Sequence, residues 1–232
     1  MATERFFSTR VELLAALSGE IAARISKGVA ERGEASMVVT GGSTPAPLYD
    51  ALAQADAPWI KTSLTLSDER WVGVEDPASN EGLVRRRLLQ GRAAQARLVG
   101  LKSAAPTPAE ALGALEQALA AMPRPFDVVL LGMGGDGHIA SLFPHAPELT
   151  DALDPARSEL VCAVHRPGAD GSSERVSLTL SALLGARYIA IHIEGEAKRD
   201  AYLRSAGHDS LAAPVRAILN QQKTPVEIWW AP

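Results

Sequence analysis

A single cysteine, Cys162, in 232 residues rules out an intramolecular disulfide framework and any multi-cysteine zinc or iron–sulfur site. No segment approaches the roughly 18 consecutive apolar residues of a membrane helix, and Glu4 and Arg5 stand where a secretory leader would need an apolar stretch. A cytoplasmic protein with no membrane partner is the expectation. Basic runs are missing as well: 23 Lys and Arg against 27 Asp and Glu leave a net charge of −4, and no stripe of positive charge matches a phosphate backbone. Nucleic acid is therefore not an expected partner. No repeat of about 20 to 50 residues marks a solenoid. The Pro/Ala segment 104–108 and the Gly/Ser segment 168–173 are too short to separate independent cores. One domain spanning 1–232 is expected, with 47% hydrophobic residues to fill its core.

What the chain does contain is a regular alternation of two patterns. Val11, Leu14, Leu17, Ile21 and Ile25 recur at helical spacing, so residues 10 to about 30 form an amphipathic helix ended near Gly33. Apolar or β-branched runs suited to strands follow at 36–40, 63–67, 127–132, 160–164, 175–179, 188–193 and 226–230. Helical patterns lie between most of them, at 46–54, 80–90, 108–122, 196–206 and 213–221, with Pro108 fitting a first helical turn. Near-continuous apolar strands alternating with helices predict an α/β doubly wound fold, a mostly parallel sheet with helices on both faces.

Ligands of such sheets bind beyond the carboxyl ends of the strands, which directs attention to the loops that follow them. The first reads GGSTP. Gly41 and Gly42 let backbone amides approach an anion, Ser43 and Thr44 add hydroxyl donors, and the next helix contributes its N-terminal dipole. These features suit a phosphate monoester; the same hydroxyls would also serve as an ordinary helix cap. The second loop, DERWVGVEDPASN (68–80), sets Asp68 and Glu69 beside Arg70. A solvated charged turn is one reading. In the other, Arg70 offers a planar guanidinium to a substrate oxygen while Asp68 binds sugar hydroxyls or orients a neighbour.

The third loop is the sharpest feature: the apolar strand of DVVLLGMGGDGHIASLFP (127–144) runs into a glycine-rich turn presenting Asp136 and His138. Gly132, Gly134 and Gly137 formally satisfy the dinucleotide fingerprint. A carboxylate among the amides meant for a pyrophosphate, and no acidic residue for the ribose after the next strand, argue against it. A histidine held at such a turn can instead exchange protons near neutral pH, with Asp136 as its orienting partner. Metal and nucleophile readings are weaker. Asp136-x-His138 and Cys162-x-x-His165 each supply at most two ligands, and Cys162 falls inside an apolar strand where a thiol is inert. No G-x-S-x-G elbow occurs.

Taken in order, GGSTP, SDERWV with Asn80 eleven residues after Glu69, LLGMGGDGHIASLFP, ERVSLT and GEAK resemble the 6-phosphogluconolactonases, a family that shares a superfamily with the glucosamine-6-phosphate deaminases. The similarity runs from about Val38 to Lys198. It implies a Rossmann-like, deaminase-like fold and an enzyme that opens a sugar-phosphate lactone. The deaminases carry an acidic residue five positions after the histidine, where this chain has Phe143, and a tyrosine where it has Arg70; both departures favour lactone hydrolysis over deamination.

The resemblance implies hydrolysis of 6-phospho-D-glucono-1,5-lactone to 6-phospho-D-gluconate, the second step of the oxidative pentose phosphate pathway. A sugar-phosphate isomerase or deaminase, or a sensor that binds sugar phosphate without turnover, are the alternatives. His138 would activate water and protonate the ring oxygen, Arg70 would hold the oxyanion, and Asp68 and Asp136 would orient them. Phosphate would rest on Gly41, Gly42, Ser43 and Thr44, with Asn80 nearby and positive charge from Lys198 and either Arg166 or Arg175. No metal and no organic cofactor is expected, and the protein should act as a monomer or homodimer.

Overall fold

The structure, a computed structural model, describes residues 2–168 and 172–232. Its elements in chain order are β1 (Thr3–Phe6), α1 (Arg10–Arg32), β2 (Ala35–Val39), α2 (Ala46–Gln54), β3 (Thr62–Leu66), β4 (Asp68–Arg70), α3 (Asn80–Arg87), β5 (Arg97–Val99), α4 (Pro108–Ala120), β6 (Val128–Leu131), α5 (Leu149–Ala152), β7 (Val161–His165), β8 (Glu174–Leu178), α6 (Leu180–Leu184), β9 (Ile189–Glu194), α7 (Glu196–Ser205), α8 (Val215–Asn220) and β10 (Val226–Ala231).

Helix α1 forms as its periodicity requires. Leu13, Leu17, Ile21 and Ile25 are buried along one face, the Thr9 hydroxyl accepts from the Glu12 amide, and Gly33 at φ 83° ends the helix by donating to the Val29 carbonyl. Each such buried aliphatic side chain contributes about 1.5–3 kcal/mol. Thr107 caps α4 in the same way, ahead of Pro108 in its first turn.

Seven strands make one parallel sheet in the order β1-β10-β9-β6-β2-β3-β5. Every residue of β2 and β6 is buried, as is nearly all of β9, which a strand achieves only when both faces of its sheet are covered. The doubly wound expectation holds. From β2 the chain proceeds outward to β3 and β5, and from β6 to β9 and β10 on the other side, so the winding reverses between β2 and β6. The connections leaving their carboxyl ends turn to opposite sides there and leave a crevice. Among the described residues no helix is long and apolar enough to cross a membrane.

Two of the expected strands lie outside the parallel sheet. The segments at 160–164 and 175–179 are strands, but they belong to a separate antiparallel sheet ordered β4-β8-β7. Chain length decides this: a parallel crossover needs about a dozen residues or more, whereas His165 and Glu174 are separated by a hairpin-sized connection. Residues 169–171, inside the Gly/Ser segment 168–173, lie outside the described residues. Asp68–Arg70, expected as loop, is the third strand of this sheet, with Arg70 opposite Arg175 and Asp68 opposite Ser177. The edge strands β1 and β5 carry no period-2 apolar signal; all four residues of β1 are exposed.

Candidate active site

A cavity of about 280 Å³ opens where the winding reverses. Ten of the twelve expected site residues line it; Asp136 and Arg166 do not. One wall is the loop after β2. Helix α2 has Pro45 at its N-cap and no side-chain cap, so the hydroxyls of Ser43 and Thr44 are not spent on capping and face the cavity with Gly41 and Gly42. Gly41 is required by close approach: a Cβ there would lie 1.9 Å from Asn80 Oδ1. Asn80 in turn spends its Nδ2 on the Asp68 carbonyl at 2.8 Å, so its carboxamide braces the wall as well as lining it.

The second wall is β4 of the small sheet. Asp68 is 6% exposed; its two oxygens accept from Ser67 Oγ at 2.8 Å and Ser141 Oγ at 2.6 Å. Ser141 also donates its amide to Ser177 Oγ at 3.2 Å, so one serine joins β4, β8 and the histidine turn. Arg70 donates Nη1 to the Ala78 carbonyl, which ties the loop 71–79 to the site, while its Nε is buried without a partner. Directly across the strand pair stands Arg175, 4% exposed, with Nε donating to the Ser172 carbonyl at 3.1 Å. Like charges at directly opposed positions destabilise a sheet, and both arginines line the cavity.

The third wall is the turn after β6. Asp136 Oδ1 lies 2.6 Å from His138 Nδ1 and accepts the His138 amide at 3.1 Å. Gly134 makes this possible, since a Cβ there would sit 2.1 Å from His138 Nδ1. Burial pushes the Asp136 carboxyl up, but the hydrogen bond and charge of His138 and the charge of Arg166 outweigh it and hold the group well below the usual carboxylate range. An ionised oxygen on Nδ1 places the proton there and leaves Nε2 as the acceptor, with the ring lining the cavity. Lys198 closes the crevice, its Nζ donating to the Met133 carbonyl at 2.8 Å; desolvation lowers its pKa, against the raising influence of Asp136.

Arg166, one of two candidates for the phosphate, does not reach the cavity. It follows β7 at the end of the small sheet, where both terminal nitrogens stand 3.4 Å from Asp136 Oδ2 and its Cζ lies 3.9 Å over the Phe143 ring. Arg175 lines the cavity. Cys162 is buried against the Ser177 carbonyl, and burial pushes its thiol up to about 12, as suits an inert core residue.

The family described as glucosamine-6-phosphate isomerases/6-phosphogluconolactonase matches residues 8–230. The chain belongs to this family. A 6-phosphogluconolactonase of Mesorhizobium japonicum is 43% identical over 226 residues, covering 97% of this chain and 94% of that protein. The crystal structure of a 6-phosphogluconolactonase from Shewanella baltica superposes with TM-score 0.96 at 40% identity, covering 100% of this chain and 98% of that one. A monomeric glucosamine-6-phosphate deaminase, at TM-score 0.80 and 18% identity, shares the fold.

Phe143, which the resemblance sets where the deaminases carry an acid, packs an apolar ring, 5% exposed, against His138, tilted 53° at 4.5 Å between centroids. Neither Glu69 nor Glu148 lines the cavity. Glu69 turns onto the start of α3, and Glu148 borders a separate small pocket on Phe143. Sequence reasoning missed His192, which lines the cavity from β9 with Nε2 3.1 Å from Glu194 Oε1 and a buried, unpartnered Nδ1. Its signal was available: an imidazole near the end of the otherwise apolar run YIAIHI.

Proposed function

We propose that this protein hydrolyses 6-phospho-D-glucono-1,5-lactone to 6-phospho-D-gluconate, the second step of the oxidative pentose phosphate pathway. The observation that carries the reading is a histidine oriented by an ionised carboxylate at a cavity whose other walls hold Arg70, Arg175, Lys198 and the open GGST loop. His138 Nε2 takes a proton from water as its oxygen bonds to the lactone carbonyl carbon. Arg70 holds the tetrahedral oxyanion. The carbon–ring-oxygen bond then breaks, and the imidazolium returns the proton to the departing oxygen, giving a carboxylic acid that ionises. The phosphate rests on Gly41 to Thr44 with Lys198 and Arg175, and Asp68 orients β4 against the histidine turn. The scheme uses no metal and no organic cofactor. A cytoplasmic monomer or homodimer, a single domain over 1–232, suits this role.

The test is acid release from lactone freshly generated from glucose 6-phosphate, scored as the increment over spontaneous hydrolysis. Glucosamine 6-phosphate is the control. Deamination needs proton transfers at the ring oxygen, at C1–C2 and at the leaving amine, and with Phe143 in place of the acid this site has no group for all of them. No ammonia is expected even where the sugar binds. Ammonia release at a rate comparable to lactone opening overturns the assignment, and binding without any turnover marks a sensor.

Phosphate recognition is checked separately. Lys198→Ala and Arg175→Ala each remove a charged contact remote from the reacting carbonyl, so KM is expected to rise roughly 10- to 100-fold with much less change in kcat. Loss of kcat at unchanged KM in both variants would reverse the orientation of the substrate.

A further inference from the structure

We propose that Arg166 is a positioning residue for the acid–base dyad, fixing His138 through Asp136 and Phe143 and taking no part in phosphate binding. This rests on the hydrolytic reading of the site. Asp136 uses its two oxygens differently: Oδ1 meets His138, and Oδ2 faces both terminal nitrogens of Arg166 at 3.4 Å. A carboxylate held at one oxygen turns easily about its terminal torsion, which is broad and nearly two-fold. A forked cation on the second oxygen removes that freedom. The same guanidinium lies 3.9 Å over Phe143, and the Phe143 ring is the one His138 packs against, at 4.5 Å. Arg166 therefore grips both supports of the imidazole, one polar and one apolar, from outside the cavity. Two other cations lie near this cluster: Arg175, with Cζ 5.4 Å from the Phe143 ring, and Lys198, whose charge acts on Asp136. Arg166 forms its ion pair with Asp136 away from the cavity, whereas Arg175 and Lys198 line the cavity and are placed to meet the substrate.

The consequence concerns which ring nitrogen carries the proton. With Asp136 fixed, neutral His138 is held as the Nδ1–H form with Nε2 free to accept from water. Without Arg166 the carboxylate loses its second anchor, and the Nε2–H form, which cannot act as the base, becomes populated.

The experiment compares the wild type with Arg166→Gln and Arg166→Lys. Steady-state kinetics on the lactone should show kcat lowered roughly 5- to 30-fold by glutamine, the effect of losing one exposed ion pair and one cation–π contact, with KM within about twofold of wild type. Lysine should restore some of the lost kcat, because it keeps the charge but neither forks nor stacks. Imidazole ¹⁵N spectra of the substrate-free proteins, at a pH where the ring is neutral, should show one tautomer in the wild type and a mixture in Arg166→Gln. A rise in KM with kcat intact would make Arg166 a phosphate ligand and overturn the proposal. Unchanged kcat and an unchanged tautomer would also overturn it. The spectra need no turnover, so a wild type that fails to open the lactone refutes the hydrolytic reading while the tautomer measurement still decides the role of Arg166.

Discussion

His138→Ala is expected to lower kcat by roughly 10²- to 10⁴-fold, the range of a positioned acid–base group, while KM changes by less than about threefold. The imidazole meets the reacting water and the ring oxygen, whereas the substrate is held by other groups: the GGST loop, Arg175 and Lys198 on the other walls. Truncation leaves those contacts in place and removes only the group that moves the proton. Folding should be unaffected, because the ring is 31% exposed at a turn that backbone bonds close independently, Gly134 to the His138 carbonyl at 2.9 Å and Gly137 to the Gly134 carbonyl at 3.1 Å. The measurement is the increment of acid release over spontaneous hydrolysis with matched protein concentrations. A variant that keeps more than about a third of wild-type kcat would show that another group activates the water.

The residues that carry this expectation were legible in the sequence because each declares itself locally. A glycine-rich turn after an apolar strand announces an exposed side chain at its tip, and the structure shows why the glycine is needed: Gly134 leaves room for the imidazole. The alternation of apolar runs and helical spacing was enough for a doubly wound class and for the five central strands β10, β9, β6, β2 and β3, but not for the edges β1 and β5. Pairings between distant short segments were not legible. DER and RVSLT have no local mark that makes them neighbours, yet their antiparallel register sets Arg70 beside Arg175. The same blindness left Arg166 and Arg175 indistinguishable by spacing. Nine residues apart, they sit on either side of the β7–β8 hairpin, and only the hairpin directs one into the cavity and the other onto Asp136. His192 is hidden in the same way: within the apolar run YIAIHI nothing local shows that its ring reaches the cavity.

Glu69 supports the largest expected effect on stability. Its side chain has no exposed surface, and it accepts four hydrogen bonds: the amides of Arg70 at 2.8 Å, Asn80 at 2.8 Å and Glu81 at 2.7 Å, and Ser79 Oγ at 3.1 Å. Burial pushes this carboxyl above the usual carboxylate range, while the three amides pull it back. The group works as a knot between β4 and the first turn of α3, where two of the helix's otherwise orphaned amides find their acceptor. Glu69→Ala strands buried donors at about 1–3 kcal/mol each. Partial relaxation and entering water recover some of that, so a net loss of about 3–5 kcal/mol is expected, which for a chain of this size lowers Tm by roughly 10 °C. Glu69→Gln keeps the shape and one acceptor oxygen but turns an NH₂ toward donors, and should lose an intermediate amount. Activity should fall with stability in both, since the Asn80 carboxamide that braces Asp68 and the loop that Arg70 grips start from this knot. Calorimetric unfolding of the three proteins at one pH measures the effect. A shift of less than about 2 °C in Glu69→Ala would mean that the amides find other acceptors and that α3 is held to β4 by its apolar contacts alone.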